Sequence, residues 1–289
     1  MINWSRKHLT NDELEKELQK LGADIEIKEL FLSSNQLTFA PALTKYSQFR
    51  KLKNLWMHVN HIETVNFNSI PHSCELLDIS GNKVSVLPDL CSLICLREIF
   101  LSDNNMKHLN GSYLPLTITR LCVGNNSLTE FPNLSHLRNL KEVDVHGNSI
   151  SHVIRTHLPP SVTHLKLNHN KLTALPNLPH LSNLTELDVH KNSIREISDL
   201  SHFSTLKRLY VRFNPLSTIT GLPERLDVLS MDRKGVLTLG EKCFSKTNYR
   251  KLKTGRGMMS LVEPPVQIFK NGLPALRTYF EQQRSQQSM

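Results

Sequence analysis

Apolar residues recur at fixed intervals along most of this chain. The pattern is L-x-x-L-x-L-x-x-N-x-L, with conservative exchanges among the apolar positions, and its first copy holds Ile27, Leu30, Leu32, Asn35 and Leu37. The asparagines of the eight further copies are Asn60, Asn82, Asn104, Asn126, Asn148, Asn170, Asn192 and Asn214. Seven of the eight gaps between successive asparagines are 22 residues long, and the first is 25. This regularity predicts an array of stacked structural repeats.

Each copy of the pattern predicts one short β-strand. In Leu187-Asp188-Val189, neighbouring side chains point to opposite faces, so the two aliphatic residues face the interior and Asp188 faces outward. Stacked copies form a parallel sheet with strands about 4.8 Å apart. Including a tenth, degenerate copy at residues 226–236, we expect ten strands, each centred on its outward residue. The asparagines follow the strands, where their amides can satisfy backbone groups at the turn, so we predict a structural ladder.

The segments between the strands alternate over 44 residues. Leu87-Pro88, Phe131-Pro132 and Leu175-Pro176 are followed by apolar residues at every third position, which is typical of 3₁₀ turns or short helices. The intervening repeats carry Leu114-Pro115 and Leu158-Pro159, where proline favours an extended backbone. We predict that both kinds of segment lie on the side of the array opposite the sheet.

The two ends of the array have signals for closing structures. Residues 10–13, Thr-Asn-Asp-Glu, form a capping box that opens a helix with an apolar face and ends at Gly22. Near the other end, residues 263–272 hold a Pro-Pro pair and, seven residues after it, a glycine, and a short final helix follows with Leu276, Tyr279 and Phe280. The predicted organisation is an N-terminal helical cap at 1–24, repeats at 25–240 and a C-terminal cap at 241–289.

The repeat pattern resembles that of leucine-rich repeat proteins. The resemblance implies an α/β fold: a curved, horseshoe-shaped solenoid with a parallel β-sheet on its concave face and 3₁₀, short helical or extended convex segments. The segment at 263–280 resembles the closing segment of many intracellular members, including Roco-type GTPases. The 22-residue repeat is similar to that of regulatory subunits of protein phosphatase 1, and the Leu-Pro segments are similar to those of bacterial effectors. The family implies a scaffold whose concave surface binds a protein.

Composition and cysteine usage favour the cytoplasm. The first ten residues lack the apolar core of a signal peptide, and no run of about 20 apolar residues predicts a membrane span. The five cysteines are scattered and odd in number, unlike a disulfide framework, although Cys122 occupies an outward position that predicts an accessible thiol. We expect a cytoplasmic protein, with a monomer as the default oligomeric state.

The sequence contains no recognisable catalytic or cofactor-binding motif. It has no Gly-rich phosphate loop, no H-E-x-x-H and no Cys-x-x-Cys pair. The best polar cluster combines Asp144, His146, Asp188 and His190, but the two aspartates lie two strands apart, about 10 Å, which is too far to share one metal ion. We predict a solvated polar surface, no cofactor, no metal and no enzymatic activity.

The outward strand positions are where binding is expected. This outward column consists of Phe31, Trp56, Asp78, Phe100, Cys122, Asp144, Lys166, Asp188, Tyr210 and Ser230. Apolar residues in it cannot be core, so Phe31, Trp56 and Phe100, with Val59 and Leu76 in flanking columns, predict an apolar patch of the kind that anchors protein interfaces. The alternative is that the N-terminal helix or a loop covers Phe31 and Trp56.

Charge becomes prominent farther along the outward column. Asp144, Lys166 and Asp188 alternate in sign, and Tyr210 with Arg212 begins a basic, aromatic end. The net charge of +9 is weighted toward the C-terminal third, where it can steer an acidic protein partner, an anionic membrane surface or nucleic acid; a solvated basic cap without a ligand is the alternative. Nucleic acid is disfavoured, because regular interleaving of aromatic and basic residues is missing.

Two functional hypotheses follow. The first is a non-catalytic protein-protein interaction scaffold that binds its partner at the eight outward residues Phe31, Trp56, Phe100, Asp144, Lys166, Asp188, Tyr210 and Arg212. The alternative is a regulatory or targeting subunit of a signalling enzyme, a phosphatase or a GTPase. Altered turnover of the partner would distinguish the second from the first.

Overall fold

Ten three-residue strands lie within the ten copies of the repeat pattern, one in each copy. The computed structural model describes residues 1–224, 226–231, 237–243, 261–263, 268 and 273–287. The chain divides into two units, Met1–Val162 and Thr163–Met289, and each is described by itself.

The first unit contains one parallel sheet whose strands follow chain order. Its strands are β1 (Ile2–Asn3), β2 (Glu29–Phe31), β3 (Asn54–Trp56), β4 (Leu76–Asp78), β5 (Glu98–Phe100), β6 (Arg120–Cys122) and β7 (Glu142–Asp144). The register repeats from strand to strand, with Leu55 opposite Leu77 and Leu77 opposite Ile99. Equivalent residues of successive repeats therefore stand in columns across the sheet.

The second unit continues the repeat and adds a second parallel sheet. Strands β8 (His164–Lys166), β9 (Glu186–Asp188), β11 (Arg208–Tyr210) and β13 (Val228–Ser230) pair in that order. The second sheet has the order β10 (Glu196–Ile197), β12 (Thr218–Gly221), β14 (Leu237–Lys242) and β15 (Leu261–Glu263). The sequence pattern did not predict these four strands, of which β10 and β12 lie between repeats and β14 and β15 follow the last repeat.

The predicted alternation of buried and outward residues is confirmed, but the strands are displaced by one residue. In β9 the central Leu187 is buried, and Asp188, the last strand residue, is half-buried on the outward side. The strands are thus centred on the inward leucine and end on the outward column. The reason is that ladder pairing already begins at the residue before that leucine, as at Glu186 opposite Arg208.

The asparagine ladder has the structural role that we predict. The Asn104 side chain is 7% exposed, and its Oδ1 accepts a hydrogen bond from the Val84 amide of the preceding repeat (2.9 Å). Its Nδ2 donates to the carbonyls of Ile79 (3.0 Å) and Leu101 (3.0 Å). Each asparagine of this kind therefore ties two repeats together through buried backbone groups.

The segments between the strands differ in part from the prediction. The apolar residues Leu90, Leu93 and Leu96 are buried and joined by hydrogen bonds between residues three apart, as expected for 3₁₀ turns. Regular 3₁₀ helices, however, lie in the intervening repeats, at Gly111–Tyr113 and Arg155–His157, where we expected extended backbone. Each ends two residues before a proline, so the proline follows a helical turn instead of replacing it. Other 3₁₀ helices are Leu43–Lys45, Ser47–Phe49 and Phe67–Ser69.

The predicted N-terminal helix is present as α1 (Asn11–Gln19). Its capping box is complete, because the Glu13 amide donates to Thr10 Oγ1 (3.4 Å) and the Glu13 carboxylate accepts from the Thr10 amide (2.8 Å). Leu14 and Leu18 are buried, as predicted for a helix that covers core. The sequence did not predict β1, which lies before α1 and extends the sheet beside β2.

The predicted final helix is present as α2 (Leu273–Gln287). Leu276 is buried, and the half-buried rings of Tyr279 and Phe280 contact each other edge to face, with their centroids 5.2 Å apart. The Pro-Pro pair, Gly272 and the basic residues at 246–256 lie outside the described residues. The proposed domain boundaries stay predictions.

Candidate functional site

Two aromatic residues of the outward column form one stacked pair in the first unit. Phe31 and Trp56 end the neighbouring strands β2 and β3, and their ring centroids are 4.1 Å apart with an interplanar angle of 7°. Both side chains are half-buried. Helix α1 forms hydrogen bonds with Thr38, Phe39 and Tyr46, in the segment that follows β2.

Helix α1 is itself anchored through Tyr46. The phenol donates a hydrogen bond to the Glu15 carboxylate at 2.6 Å. Burial and this hydrogen bond raise the pKa of Tyr46 to about 12. The phenol therefore remains a protonated donor at neutral pH. Its hydrogen bond to Glu15 connects helix α1 to the segment that follows β2.

Phe100 lies apart from the aromatic pair. Asp78 occupies the intervening position in the outward column and pairs with His58 at 3.0 Å. The Arg120 guanidinium lies 5.0 Å from the Phe100 ring centroid and contacts Glu142 at 3.2 Å. The predicted apolar patch across four repeats stays a prediction: Asp78 lies between its aromatic residues in the outward column, and the Arg120 guanidinium lies over the Phe100 ring.

The next outward residue, Cys122, departs from the prediction. Cys122 is only 9% exposed, so the prediction of an accessible thiol at this position is wrong. Neighbouring outward side chains such as Arg120 are long enough to cover a small residue in the same sheet.

Asp144 and Asp188 of the outward column each pair with the histidine two residues later in the chain. Asp144 accepts from the His146 backbone amide (3.1 Å) and pairs with Nδ1 of the same residue (2.7 Å). Asp188 makes the same two contacts with His190, at 3.0 and 2.6 Å. Among the described residues, no three His, Cys, Asp or Glu side chains are grouped so that they could hold a metal ion.

The second unit carries a basic and aromatic end. Lys166 stands beside Asp188 in the register of β8 and β9, and Tyr210 follows on the next strand. Arg208 donates to the Glu186 carboxylate at 2.6 Å, and this hydrogen bond raises the pKa of the guanidinium. Arg212 is exposed, and its guanidinium carbon lies 5.1 Å from the centroid of the Phe213 ring.

Sequence reasoning missed a second column that lies next to the asparagine ladder. The residue before each ladder asparagine has a left-handed backbone; these residues are Ser34, Val59, Gly81, Asp103, Asn125, Gly147, His169, Lys191 and Phe213. We call them the left-handed column. Glycine, asparagine and aspartate tolerate this conformation, whereas it is strained for Val59 (φ 56°) and Phe213 (φ 56°). The recurrence of Gly-Asn, Asp-Asn and Asn-Asn in the sequence was the available signal.

No helix among the described residues has the length and apolar character needed to cross a bilayer.

A family model of two copies of leucine-rich repeats matches residues 160–202. No curated protein matches the sequence.

Solved structures resemble this chain over most of its length. The leucine-rich effector YopM from Yersinia pestis is 29% identical with a TM-score of 0.63, over 74% of this chain and 60% of that one. The chain thus spans less than two thirds of YopM. A chain in the octameric complex of latrophilin 3, Unc5D and the leucine-rich repeat part of FLRT2 is 21% identical (TM-score 0.62, 74% and 67% covered). The internalin InlF from Listeria monocytogenes is 16% identical (TM-score 0.50, 70% and 69% covered).

The last two likenesses concern the fold alone, and they agree with the repeat signature. Parallel strands at a 22-residue interval, each followed by an asparagine that bonds to the preceding repeat, are the physical content of that signature. This chain carries leucine-rich repeats and has the leucine-rich repeat fold.

Proposed function

We propose that this protein is a non-catalytic protein-binding module whose main contact surface is the outward column of the first unit. The observation that carries the proposal is the stacked pair of Phe31 and Trp56. Large aromatic side chains that are partly exposed on regular strands lose little conformational entropy on binding, and such residues dominate interface energies. The solved complex that contains the leucine-rich repeat part of FLRT2 shows a similar fold within a protein assembly.

The surroundings of the aromatic pair suit an interface. Val59 is 56% exposed, and Leu76 is half-buried on the adjacent strand, so apolar surface continues beyond the rings. The pair of His58 with Asp78 provides a polar rim. An apolar centre with a polar rim is the usual anatomy of a protein interface.

The polar outward residues contribute specificity in this proposal. Phe100 beneath Arg120 offers an aromatic surface next to a cation, and Asp144 offers a carboxylate whose position its histidine partner holds. In the second unit, Lys166, Asp188, Tyr210 and Arg212 are proposed to contact the same partner. Complementary charges mainly select a partner and accelerate association.

We further propose a cytoplasmic location, which the odd number of scattered cysteines supports. The alternative role as a subunit of a phosphatase or GTPase draws no specific support from the described residues.

The proposal is tested with Trp56→Ala and a matched control. Partners are captured on the immobilised protein, identified by mass spectrometry, and the affinity of the purified partner is then measured. Trp56→Ala should weaken binding by about 2 kcal/mol or more, because it removes the larger ring of the pair. Phe39→Ala, which removes a 51% exposed aromatic ring from the segment after β2, should bind as the parent does.

Two outcomes would count against this surface. One is a partner that binds Trp56→Ala as tightly as the parent while it loses affinity for Phe39→Ala. The other is an altered thermal unfolding midpoint for Trp56→Ala that accounts for the whole loss. A second substitution, Phe31→Leu, removes the aromatic stack but keeps an apolar side chain, and should therefore reduce affinity with little effect on stability.

A further inference from the structure

Phe213 lies at the turn that follows β11 in the second unit. It belongs to the left-handed column, with φ 56°, and its side chain is 53% exposed. The Lys191 ammonium lies 5.7 Å from its ring centroid and the Arg212 guanidinium carbon 5.1 Å from it. Two cations of adjacent repeats therefore share one exposed aromatic ring.

Stability does not account for a phenylalanine at this position. A bulky residue in the left-handed region is strained, and an exposed ring gains little from burial. The same chain places Gly81, Asn125 and Gly147 at equivalent positions of the left-handed column, so less strained choices fit the repeat. Strained residues that persist are concentrated at functional sites.

The ring organises the two cations. A lysine or arginine held over an aromatic face gives up part of its rotamer freedom before any ligand arrives, which lowers the entropy lost on binding. The backbone keeps the two repeats in register, since the Lys191 amide donates to the Arg212 carbonyl at 2.8 Å. Phe213 is thus a positioning residue for Lys191 and Arg212.

Two acidic residues of the same unit, Glu186 and Asp188, each have a basic partner. Glu186 accepts from Arg208 at 2.6 Å, and Asp188 pairs with His190 at 2.6 Å. The His190 ring in turn contacts His169 of the left-handed column, with centroids 5.0 Å apart. The two cations at the Phe213 ring are Lys191 and Arg212, and their positive charge favours an anionic ligand.

We propose that Lys191, Phe213 and Arg212 form a cationic clamp that binds carboxylate side chains of an acidic protein segment. The clamp extends the proposed protein-binding function by naming the chemistry of one part of the partner. An acidic peptide fits better than nucleic acid, because both cations already lie against the single exposed ring and leave no series of aromatic faces on which bases stack. It fits better than an anionic membrane, because Glu186 and Asp188 on the same sheet would oppose a broad anionic surface.

The test uses the full chain and a short fluorescein-labelled oligoglutamate peptide, with binding followed by fluorescence anisotropy at several salt concentrations. The parent should bind the peptide, and added salt should weaken binding. The double substitution Lys191→Ala, Arg212→Ala should lower the affinity about tenfold or more. The matched control, Lys171→Ala with Arg195→Ala, removes two exposed cations of the same unit outside the clamp and should have a much smaller effect.

Phe213→Asn separates positioning from folding. Asparagine tolerates the left-handed backbone, as Asn125 does at the equivalent position, so the thermal unfolding midpoint should stay the same or rise. The affinity for oligoglutamate should nevertheless fall several-fold, because the two cations lose their common support. A residue with only a structural role would not lower affinity while stability is kept.

Several results would overturn the clamp. These are an unchanged affinity in the clamp double variant, an equal loss in the matched control, and tighter binding of single-stranded DNA or phosphatidylserine vesicles than of the peptide at equal salt. The outcome is separable from the proposed function. A partner whose capture depends on Trp56 but not on Lys191 and Arg212 would remove the clamp and leave the binding module standing.

Discussion

The asparagine ladder permits a stability prediction worked from individual hydrogen bonds. Asn104→Ala removes one acceptor and one amide donor group from the interior of the first unit. The acceptor serves the Val84 amide (2.9 Å), and the donor group serves the carbonyls of Ile79 (3.0 Å), Leu101 (3.0 Å) and Ser102 (3.2 Å). The cost depends on which of these backbone groups keep another partner.

The three carbonyls keep a second donor. Ile79 O also accepts from Asn82 (2.9 Å), Leu101 O from Asn126 (3.0 Å), and Ser102 O from the Gly81 amide (2.8 Å). Among the described residues, the amide of fully buried Val84 has no acceptor other than Asn104. One buried, unsatisfied N–H costs about 1–3 kcal/mol, so we expect Asn104→Ala to destabilise by about 2 kcal/mol.

Chemical denaturation followed by circular dichroism measures this loss, and hydrogen exchange of the peptide containing Val84 locates it. Asn105→Ala, which removes an exposed asparagine next in sequence, is the matched control and should be nearly neutral. Asn104→Asp keeps an acceptor for Val84 but places a buried carboxylate against carbonyl oxygens, so it should be the least stable variant at neutral pH. Its folded pKa should be raised, and its stability should therefore recover as pH falls. Equal denaturation midpoints for Asn104→Ala and Asn105→Ala would refute the reasoning.

Two further predictions concern other parts of the first unit. A Cβ at Gly111 would lie 1.9 Å from the backbone oxygen of Asn133, so Gly111→Ala should lower stability by about 3 kcal/mol. Gly22→Ala is the control and should be nearly neutral, because its Cβ would lie 3.9 Å from the nearest atom, Ile25 Cδ1. Equal melting temperatures of the two variants would contradict this prediction. The backbone hydrogen bond from Thr10 lowers the pKa of Glu13 from 4.5, so its contribution to the helix cap is present above the unfolded pKa and lost as pH falls through the folded pKa. Glu13→Gln can keep the capping box and should remove this pH dependence from unfolding curves recorded between about pH 6 and pH 2; an unchanged dependence would assign it to other groups.

The outward column shows how far sequence reasoning reaches into the candidate site. Alternation along each strand was enough to place Phe31 and Trp56 on the outward face, because that depends on the residue order within one repeat. Whether the rings touch depends on how two strands 25 residues apart align, and only the structure shows the stack. The pairing of Asp78 with His58 and the cover of Arg120 over Phe100 have the same origin, since both are contacts between repeats.

The sequence by itself determined the repeat, the positions of ten strands, the buried face and the role of the asparagines. These follow from local periodicity, which chain geometry converts directly into strand and turn. The tertiary structure decided the placement of β1 beside β2, the second sheet of the second unit and the strained Phe213 between two cations. The physical reason is that these features depend on lateral contacts between columns and on the backbone at turns, where several residue types satisfy the same pattern at different energies.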